Sequence, residues 1–187
     1  MEKSSSPKFK PNKKGLVIIY TGNGKGKTTA ALGMAVRAVG YQWKVLILQF
    51  IKGSWTYGEE KGVKLLSPSV EMKKLGKGFY KILDDKLPEA EHRKAVEEAL
   101  KLSQEAIASQ KYNLIILDEI NVAVSCGLLK VEDVVQLIQK KPAELHLVLT
   151  GRDAKPQIIK LSDLCTEMKE VKHPFQQGFL AQKGIDY

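Results

Sequence analysis

The sequence predicts an α/β fold in which a mostly parallel sheet carries helices on both faces. Three observations lead to this prediction. Short apolar runs rich in β-branched residues recur along the chain, which is typical of strands buried on both faces. Segments with helical spacing of apolar residues separate these runs. The first apolar run also leads through a glycine-rich turn directly into an Ala-rich helical segment. Alternating strands and helices imply a parallel sheet with right-handed crossovers.

The glycine-rich turn spans residues 21–28 and reads Thr-Gly-Asn-Gly-Lys-Gly-Lys-Thr. A strand before it and a helix after it favour a phosphate-binding loop over an ordinary glycine-rich turn. Backbone N–H groups and the positive helix end would face the phosphates, Lys27 would contact the terminal phosphates, and Thr28 would offer its hydroxyl to Mg²⁺. Thr21 occupies the first Gly position of the usual pattern, and Gly22 follows one place later. A dinucleotide-binding fingerprint fits worse, because its third glycine is missing.

A second informative stretch is the apolar run 113–117, which ends in Asp118 and Glu119. A buried strand ending in two carboxylates is the pattern of a Walker B segment, in which Asp118 would hold Mg²⁺ directly or through water. Glu119 would reach further into the site. Arg152 follows another predicted strand, 145–149, and its fork geometry suits a phosphate contact, with an exposed loop arginine as the alternative. These features together predict a single P-loop NTPase domain of the RecA-like type.

The other predicted elements follow from apolar spacing and from Gly and Pro positions. They are strands at 16–20, 44–50, 63–66, 70–75 and 164–168, and helices at 29–39, 88–110, 128–140 and 156–161. Residues 51–62 are predicted as a loop at the ligand-binding edge of the sheet, where Trp55 and Tyr57 either cover the edge or face a ligand. His92 lies on a charged helix face and is expected to be solvated. His146, inside a strand, is expected to be structural.

Composition predicts one globular domain over residues 15–187 and excludes several classes of protein. Hydrophobic residues make up 43% of the chain and charged residues 27%, as in soluble proteins. The net charge is +9, but residues 1–14 carry +4 of it, so the rest is moderately basic and no specific nucleic-acid partner is expected. That N-terminal segment is predicted to be disordered. There is no signal peptide, no run long enough to cross a membrane and no cysteine pattern, so we expect a cytoplasmic protein.

Several further blocks narrow the function. They are 49–53 (Gln-Phe-Ile-Lys-Gly), 117–121 (Leu-Asp-Glu-Ile-Asn), 150–152 (Thr-Gly-Arg), 172–175 (Lys-His-Pro-Phe) and 181–187 (Ala-Gln-Lys-Gly-Ile-Asp-Tyr). Together with the glycine-rich loop, they resemble the ATP:corrinoid adenosyltransferases of the P-loop type. The resemblance implies transfer of the 5′-deoxyadenosyl group of ATP to the cobalt of a reduced corrinoid, with release of triphosphate. It also implies a homodimer, and a flavoprotein or other reductase as the electron donor.

The resemblance further implies roles for individual residues. The ATP-binding residues would be Gly22, Asn23, Gly24, Lys25, Gly26, Lys27, Thr28, Thr29 and Arg152. Lys27, Thr28 and Glu119 would be catalytic, and Thr28, Asp118 and Glu119 would hold Mg²⁺. Phe79 lies in the corrinoid-facing Gly-Phe segment, but Lys81 stands where the family commonly has Trp, a departure that bears on corrinoid handling.

Two other functions share the phosphate loop and the Walker B segment. A RecA-like ATPase acting on nucleic acid would release ADP and phosphate. A small-molecule kinase would transfer the γ-phosphate to an acceptor. The identity of the products distinguishes both from an adenosyltransferase, which releases triphosphate.

Overall fold

A computed structural model describes residues 14–53, 57–78, 80, 85 and 87–187. The strands in this part of the chain are β1 (Val17–Thr21), β2 (Val45–Gln49), β3 (Val70–Lys74), β4 (Leu114–Asp118), β5 (His146–Thr150) and β6 (Leu164–Glu167). The helices are α1 (Lys27–Val39), α2 (Gly58–Lys64), α3 (Glu89–Ala108), α4 (Ile120–Ser125), α5 (Val131–Gln139) and α6 (Pro156–Ile159), followed by a 3-10 helix at Pro174–Gln177. Disorder was predicted for residues 1–14, of which residues 1–13 lie outside the described residues.

The six strands form one sheet in the order β3-β2-β4-β5-β1-β6, and every neighbouring pair is parallel. The predicted α/β fold class is therefore confirmed. β5 lies between β1, which leads into the glycine-rich loop, and β4, which ends in the two carboxylates. Gln49 is in register with Asp118, and Tyr20 is in register with Thr150. This register places the ends of β1, β2, β4 and β5 along one edge of the sheet, where ligands bind in such folds.

Helices cover both faces of the sheet. Successive strand residues point in opposite directions, so a continuous apolar strand gives both faces apolar side chains that must be buried. Leu48 and Leu117 belong to the core on the face that packs against α3 and α5. Ile47 and Ile116, one position earlier in each strand, belong to the core beneath α1. The apolar residues of the central strands are thus buried on both sides, as their continuous apolar runs predicted.

One predicted strand is wrong. Residues 63–66 were expected to be extended, but Val63 and Lys64 form the last turn of α2, and Leu65 caps it. Part of the predicted loop 51–62 is likewise helical. The helix begins at Gly58, and the Glu60 carboxylate accepts a hydrogen bond from the N–H of Tyr57. Acidic residues in the first turn favour this helix, whereas a short apolar run does not by itself distinguish strand from helix.

The expectation for His92 is also wrong. Its side chain is buried, and its Nε2 lies 3.0 Å from Oδ1 of Asp85. The buried ring of Tyr80 lies 5.3 Å away, centroid to centroid, so both Tyr80 and Asp85 contact this face of α3. The structural role expected for His146 is confirmed, since its Nδ1 accepts a hydrogen bond from the N–H of Leu16.

Among the described residues, no helix is both long and apolar enough to cross a membrane.

Candidate functional site

The glycine-rich loop connects β1 to α1 through two residues with left-handed backbone angles. Gly22 has φ +91° and Gly26, the N-cap of α1, has φ +108°. A Cβ at Gly22 would lie 2.5 Å from the carbonyl oxygen of Met168, so only glycine fits there. The N–H of Gly24 donates to the same carbonyl at 2.6 Å, which anchors the loop to the segment after β6. These contacts with the segment after β6 define the path of the loop.

Lys27 is held across this loop. Its ammonium donates to the carbonyl oxygens of Gly22 at 2.7 Å and Gly24 at 2.8 Å. Burial lowers the pKa of Lys27, Glu119 opposes that shift, and Arg152 adds to it. The loop thus contains a partly desolvated cation at the helix N-terminus, where a phosphate group would find positive charge.

Asp118 joins several elements beneath the loop. Its side chain is 1% exposed. Its Oδ1 accepts hydrogen bonds from the hydroxyl groups of Thr28 at 2.9 Å and Thr150 at 2.7 Å. Its Oδ2 accepts one from Nε2 of Gln49 at 2.9 Å. This carboxylate therefore connects the ends of β2, β4 and β5 to the first turn of α1, and it fixes the position of the Thr28 hydroxyl.

Glu119 projects into the site from a strained position. It has φ 64°, which is uncommon for a residue with a side chain, and its N–H donates to Oγ1 of Thr150 at 2.9 Å. Burial and the neighbouring Asp118 raise the pKa of Glu119 to about 7. A carboxylate in this environment is stabilised by a nearby cation.

The sequence predictions missed Lys52 as a site residue. Its ammonium lies 2.6 Å from Oε1 of Glu59, 3.7 Å from Oδ2 of Asp118 and 4.9 Å from the ring centroid of Tyr57. Burial alone would lower the pKa of Lys52, but the attraction of Asp118 and Glu59 outweighs it, so the pKa is raised. Lys52 follows β2 at the ligand-binding edge, within the block 49–53, and that position was the available signal.

These elements border one cavity of about 630 Å³. Its wall includes loop residues 23–29, Lys52 with residues 57–59, Glu119 with Arg152, and residues 184–187. Most of the predicted site residues are therefore brought together. Gly22 and Asp118 are not part of the wall.

The aromatic residues predicted near the site are only partly described. Tyr57 lines the cavity, which favours a ligand-facing role over simple cover of the sheet edge. Trp55, Phe79 and Lys81 lie outside the described residues. The corrinoid-facing role of Phe79 therefore stays a prediction.

The donor atoms at the end of β4 suit Mg²⁺. The Thr28 hydroxyl, Asp118 and Glu119 supply oxygen atoms, which this ion prefers. The described residues contain no cluster of three or more His, Cys, Asp or Glu side chains that could hold a metal ion. Mg²⁺ is commonly bound by one or two carboxylates together with substrate phosphates and water, so the residues present fit it.

Three comparisons place the chain among known proteins. A corrinoid adenosyltransferase from Pseudomonas aeruginosa is 39% identical over 176 residues, which cover 94% of this chain and 85% of that relative. One from Escherichia coli K12 is 39% identical over 177 residues, covering 94% and 87%. The flagellar accessory protein FlaH from Methanocaldococcus jannaschii has a similar fold, with a TM-score of 0.54 and 15% identity over 82% of this chain and 71% of that one.

The family model for ATP:corrinoid adenosyltransferase BtuR/CobO/CobP matches residues 13–187, which is nearly the whole chain. The match includes the glycine-rich loop, the end of β4 and the segment 184–187 that borders the cavity. The resemblance seen in the sequence is therefore confirmed, and the chain belongs to the ATP:corrinoid adenosyltransferase family.

Proposed function

We propose that this protein transfers the 5′-deoxyadenosyl group of ATP to the Co(I) of a reduced corrinoid and releases triphosphate. The observation that carries the proposal is the convergence of Lys27, Thr28 and Glu119 on one cavity in a chain of this family. These are the residue types that bind and neutralise a triphosphate.

The reaction needs little covalent chemistry from the protein. The cobalt nucleophile attacks C5′ of the ribose, a cobalt–carbon bond forms, and the C5′–O bond breaks. The electron pair of that bond leaves with the triphosphate, and the cobalt is oxidised from Co(I) to Co(III). No proton moves at the reacting centre, so no general base is required. The protein must align the cobalt with the carbon and stabilise the charge that develops on the leaving oxygen.

The glycine-rich loop performs the second task in this proposal. The N–H groups of the loop other than that of Gly24, together with the N-terminus of α1, face the triphosphate, and Lys27 adds a full positive charge. Two of the three ammonium protons of Lys27 are donated to loop carbonyls, and the third can be donated to a phosphate oxygen. Arg152, exposed at the end of β5, adds a second cation at the cavity wall.

Thr28 and Glu119 would hold Mg²⁺ against the triphosphate, with Asp118 behind them. Bound there, the ion supplies positive charge close to the phosphate oxygens. Asp118 contributes mainly by orientation, since it accepts the hydrogen bond of the Thr28 hydroxyl and is itself excluded from solvent. Thr150 supports both carboxylate residues through its hydroxyl group.

Corrinoid binding is proposed for the segment around Phe79. Two described neighbours support this placement. A Cβ at Gly53 would lie 2.5 Å from the Cα of Gly78, so the residue before Phe79 packs closely on the segment that follows β2. Tyr80 is buried after it, and its hydroxyl donates a hydrogen bond to Glu89.

The remaining partners are also proposals. Co(I) must be supplied by an electron donor that this reaction does not provide, so a flavoprotein or another reductase is expected. The family resemblance supports a homodimer. The two cysteines, Cys126 and Cys165, are both free, which suits a reducing compartment such as the cytoplasm. DNA affinity should be non-specific and should fall steeply with salt, because much of the basic charge lies in residues 1–14.

The test is an anaerobic incubation of the protein with ATP, Mg²⁺ and chemically reduced cobalamin. We expect the spectral change of cobalt–carbon bond formation and an equal amount of inorganic triphosphate. Lys27→Ala should abolish both signals. Lys44→Ala, which removes the same charge from an exposed position at the opposite end of β2, should leave them unchanged.

Three results would contradict the proposal. Release of ADP and phosphate, stimulated by DNA, would indicate a RecA-like ATPase. A phosphorylated acceptor would indicate a kinase. Triphosphate without alkylated cobalt would indicate that the corrinoid is not the acceptor.

A further inference from the structure

The segment 182–187 forms a compact turn at the edge of the nucleotide cavity. The N–H of Asp186 donates to the carbonyl of Gln182 at 2.8 Å, and the Asp186 carboxylate accepts from the N–H of Gln182 at 2.7 Å. The N–H of Gly184 donates to the carbonyl oxygen of Tyr187 at 2.8 Å. These bonds give the turn a shape of its own, which we call the C-terminal turn.

The C-terminal turn is attached to both sides of the cavity. The carboxylate of Asp186 forms an ion pair with the ammonium group of Lys25, which belongs to the glycine-rich loop. At the other side, a Cβ at Gly58 would lie 3.6 Å from the backbone of Tyr187, so the turn packs against the start of α2. Residues 184–187 are consequently part of the cavity wall, although 161 positions separate Lys25 from Asp186.

The chemical character of this wall differs from that of the phosphate loop. The loop offers N–H groups and Lys27, which suit phosphate oxygens. The C-terminal turn offers Ile185, which is 78% exposed, and Tyr187, which is 45% exposed. Tyr57 and Leu32 add apolar surface to the same cavity. The purine base of a nucleoside is uncharged and planar, so it gains most from apolar and aromatic surface, and covering exposed apolar side chains is favourable.

We propose that the C-terminal turn is the nucleoside-binding wall of the cavity, in which Ile185 and Tyr187 contact the adenosine of ATP and the Lys25–Asp186 ion pair holds the turn in place. This inference rests on the proposed function and assigns the part of the nucleotide that the glycine-rich loop does not bind. Lys25 then acts as a positioning residue, and Lys27 is the loop cation that contacts phosphate.

The experiment compares two ligands that differ only in the nucleoside. ATP and inorganic triphosphate are titrated calorimetrically, each with Mg²⁺, into the wild-type protein and its variants. The quantity of interest is the ratio of the dissociation constant of triphosphate to that of ATP. Tyr187→Ala should lower this ratio about tenfold, because the adenine base of ATP loses its aromatic contact. Tyr187→Phe keeps the aromatic ring and should keep the wild-type ratio.

Three further variants complete the test. Ile185→Ala should lower the ratio less than Tyr187→Ala does. Asp186→Asn should lower it because the turn loses its anchor, while triphosphate binding is retained or strengthened by the released Lys25. Leu180→Ala is the matched control, since Leu180 is 81% exposed on the same C-terminal segment but does not border the cavity. That control should keep the wild-type ratio.

The inference and the function fail in different ways. If the wild-type protein binds triphosphate and ATP equally tightly, or if Tyr187→Ala and Asp186→Asn leave the ratio unchanged, the C-terminal turn does not bind the nucleoside. If variants lose both ligands equally, the turn supports the phosphate loop instead, which also overturns the inference. If the wild-type protein binds neither ligand, the proposed function itself is wrong.

Discussion

The hydroxyl group of Thr150 donates a hydrogen bond of 2.7 Å to the Asp118 carboxylate, and so joins the carboxyl ends of β5 and β4. The same oxygen accepts the N–H of Glu119 at 2.9 Å. Thr150 is fully buried, so water cannot replace either bond. One buried hydroxyl group therefore helps to fix the geometry of both carboxylate residues.

Thr150→Val should destabilise the protein, because it leaves a buried carboxylate oxygen and a backbone N–H without this partner. The expected loss in the free energy of unfolding is about 1–3 kcal/mol, measured by urea denaturation. Thr166→Val makes the same change at an exposed position of β6 and should cost far less. Equal losses in the two variants would show that the Thr150 hydrogen bonds contribute little.

Lys27→Ala should weaken ATP binding by roughly 2–3 kcal/mol, or about 30- to 150-fold, because the loop loses its charged contact to phosphate. Calorimetric titration of ATP with Mg²⁺ measures this effect. The circular dichroism spectrum should be unchanged, since the rest of the loop remains bonded to the segment after β6. Wild-type affinity in this variant would remove Lys27 from the phosphate site.

Glu119→Gln should reduce the dependence of ATP binding on Mg²⁺ more than it reduces ATP binding itself. The substitution removes a negative charge that lies close to Asp118, so ATP without Mg²⁺ should bind at least as tightly as to the wild-type protein. The measurement is the affinity for ATP with Mg²⁺ and with a chelator present. If the two proteins gain equally from Mg²⁺, Glu119 has only a structural role.

His146 should make stability depend on pH. Burial, with a smaller contribution from Lys141, lowers the pKa of His146, and its Nδ1 must be unprotonated to accept the N–H of Leu16. An unfolded histidine has a pKa of about 6.5, so the unfolded chain binds more protons below that pH. The free energy of unfolding should therefore fall as the pH drops through about 6.5 toward the folded pKa.

Replacing this histidine isolates the effect. His146→Asn keeps an oxygen acceptor for Leu16 but does not titrate. Urea denaturation of both proteins at about pH 8 and about pH 5.5 should show a smaller loss in the variant. An identical pH dependence in the two proteins would show that His146 does not contribute to it.

Local patterns in the chain were sufficient for the fold class and for most of the site. Gly22 and Gly26 are required by backbone angles that other residues rarely adopt, and continuous apolar runs are required of strands covered on both faces. Both constraints act on neighbouring residues, so they are visible in a linear sequence. The paired carboxylates at the end of β4 became informative because they follow the glycine-rich loop in sequence at a suitable separation, with Asp118 lying 90 positions after Thr28.

Other features depended on contacts between distant segments. The short run 63–66 fits either a strand or a helix, and only packing of Val63 in the core beneath α1 and the capping of α2 made it helical. His92 is buried where Asp85 and Tyr80, which precede α3 in the chain, contact its side chain. Lys25 and Asp186 meet because the chain returns to the glycine-rich loop after β6. Strand order and chain reversal set these distances, and neither is encoded in the spacing of neighbouring side chains.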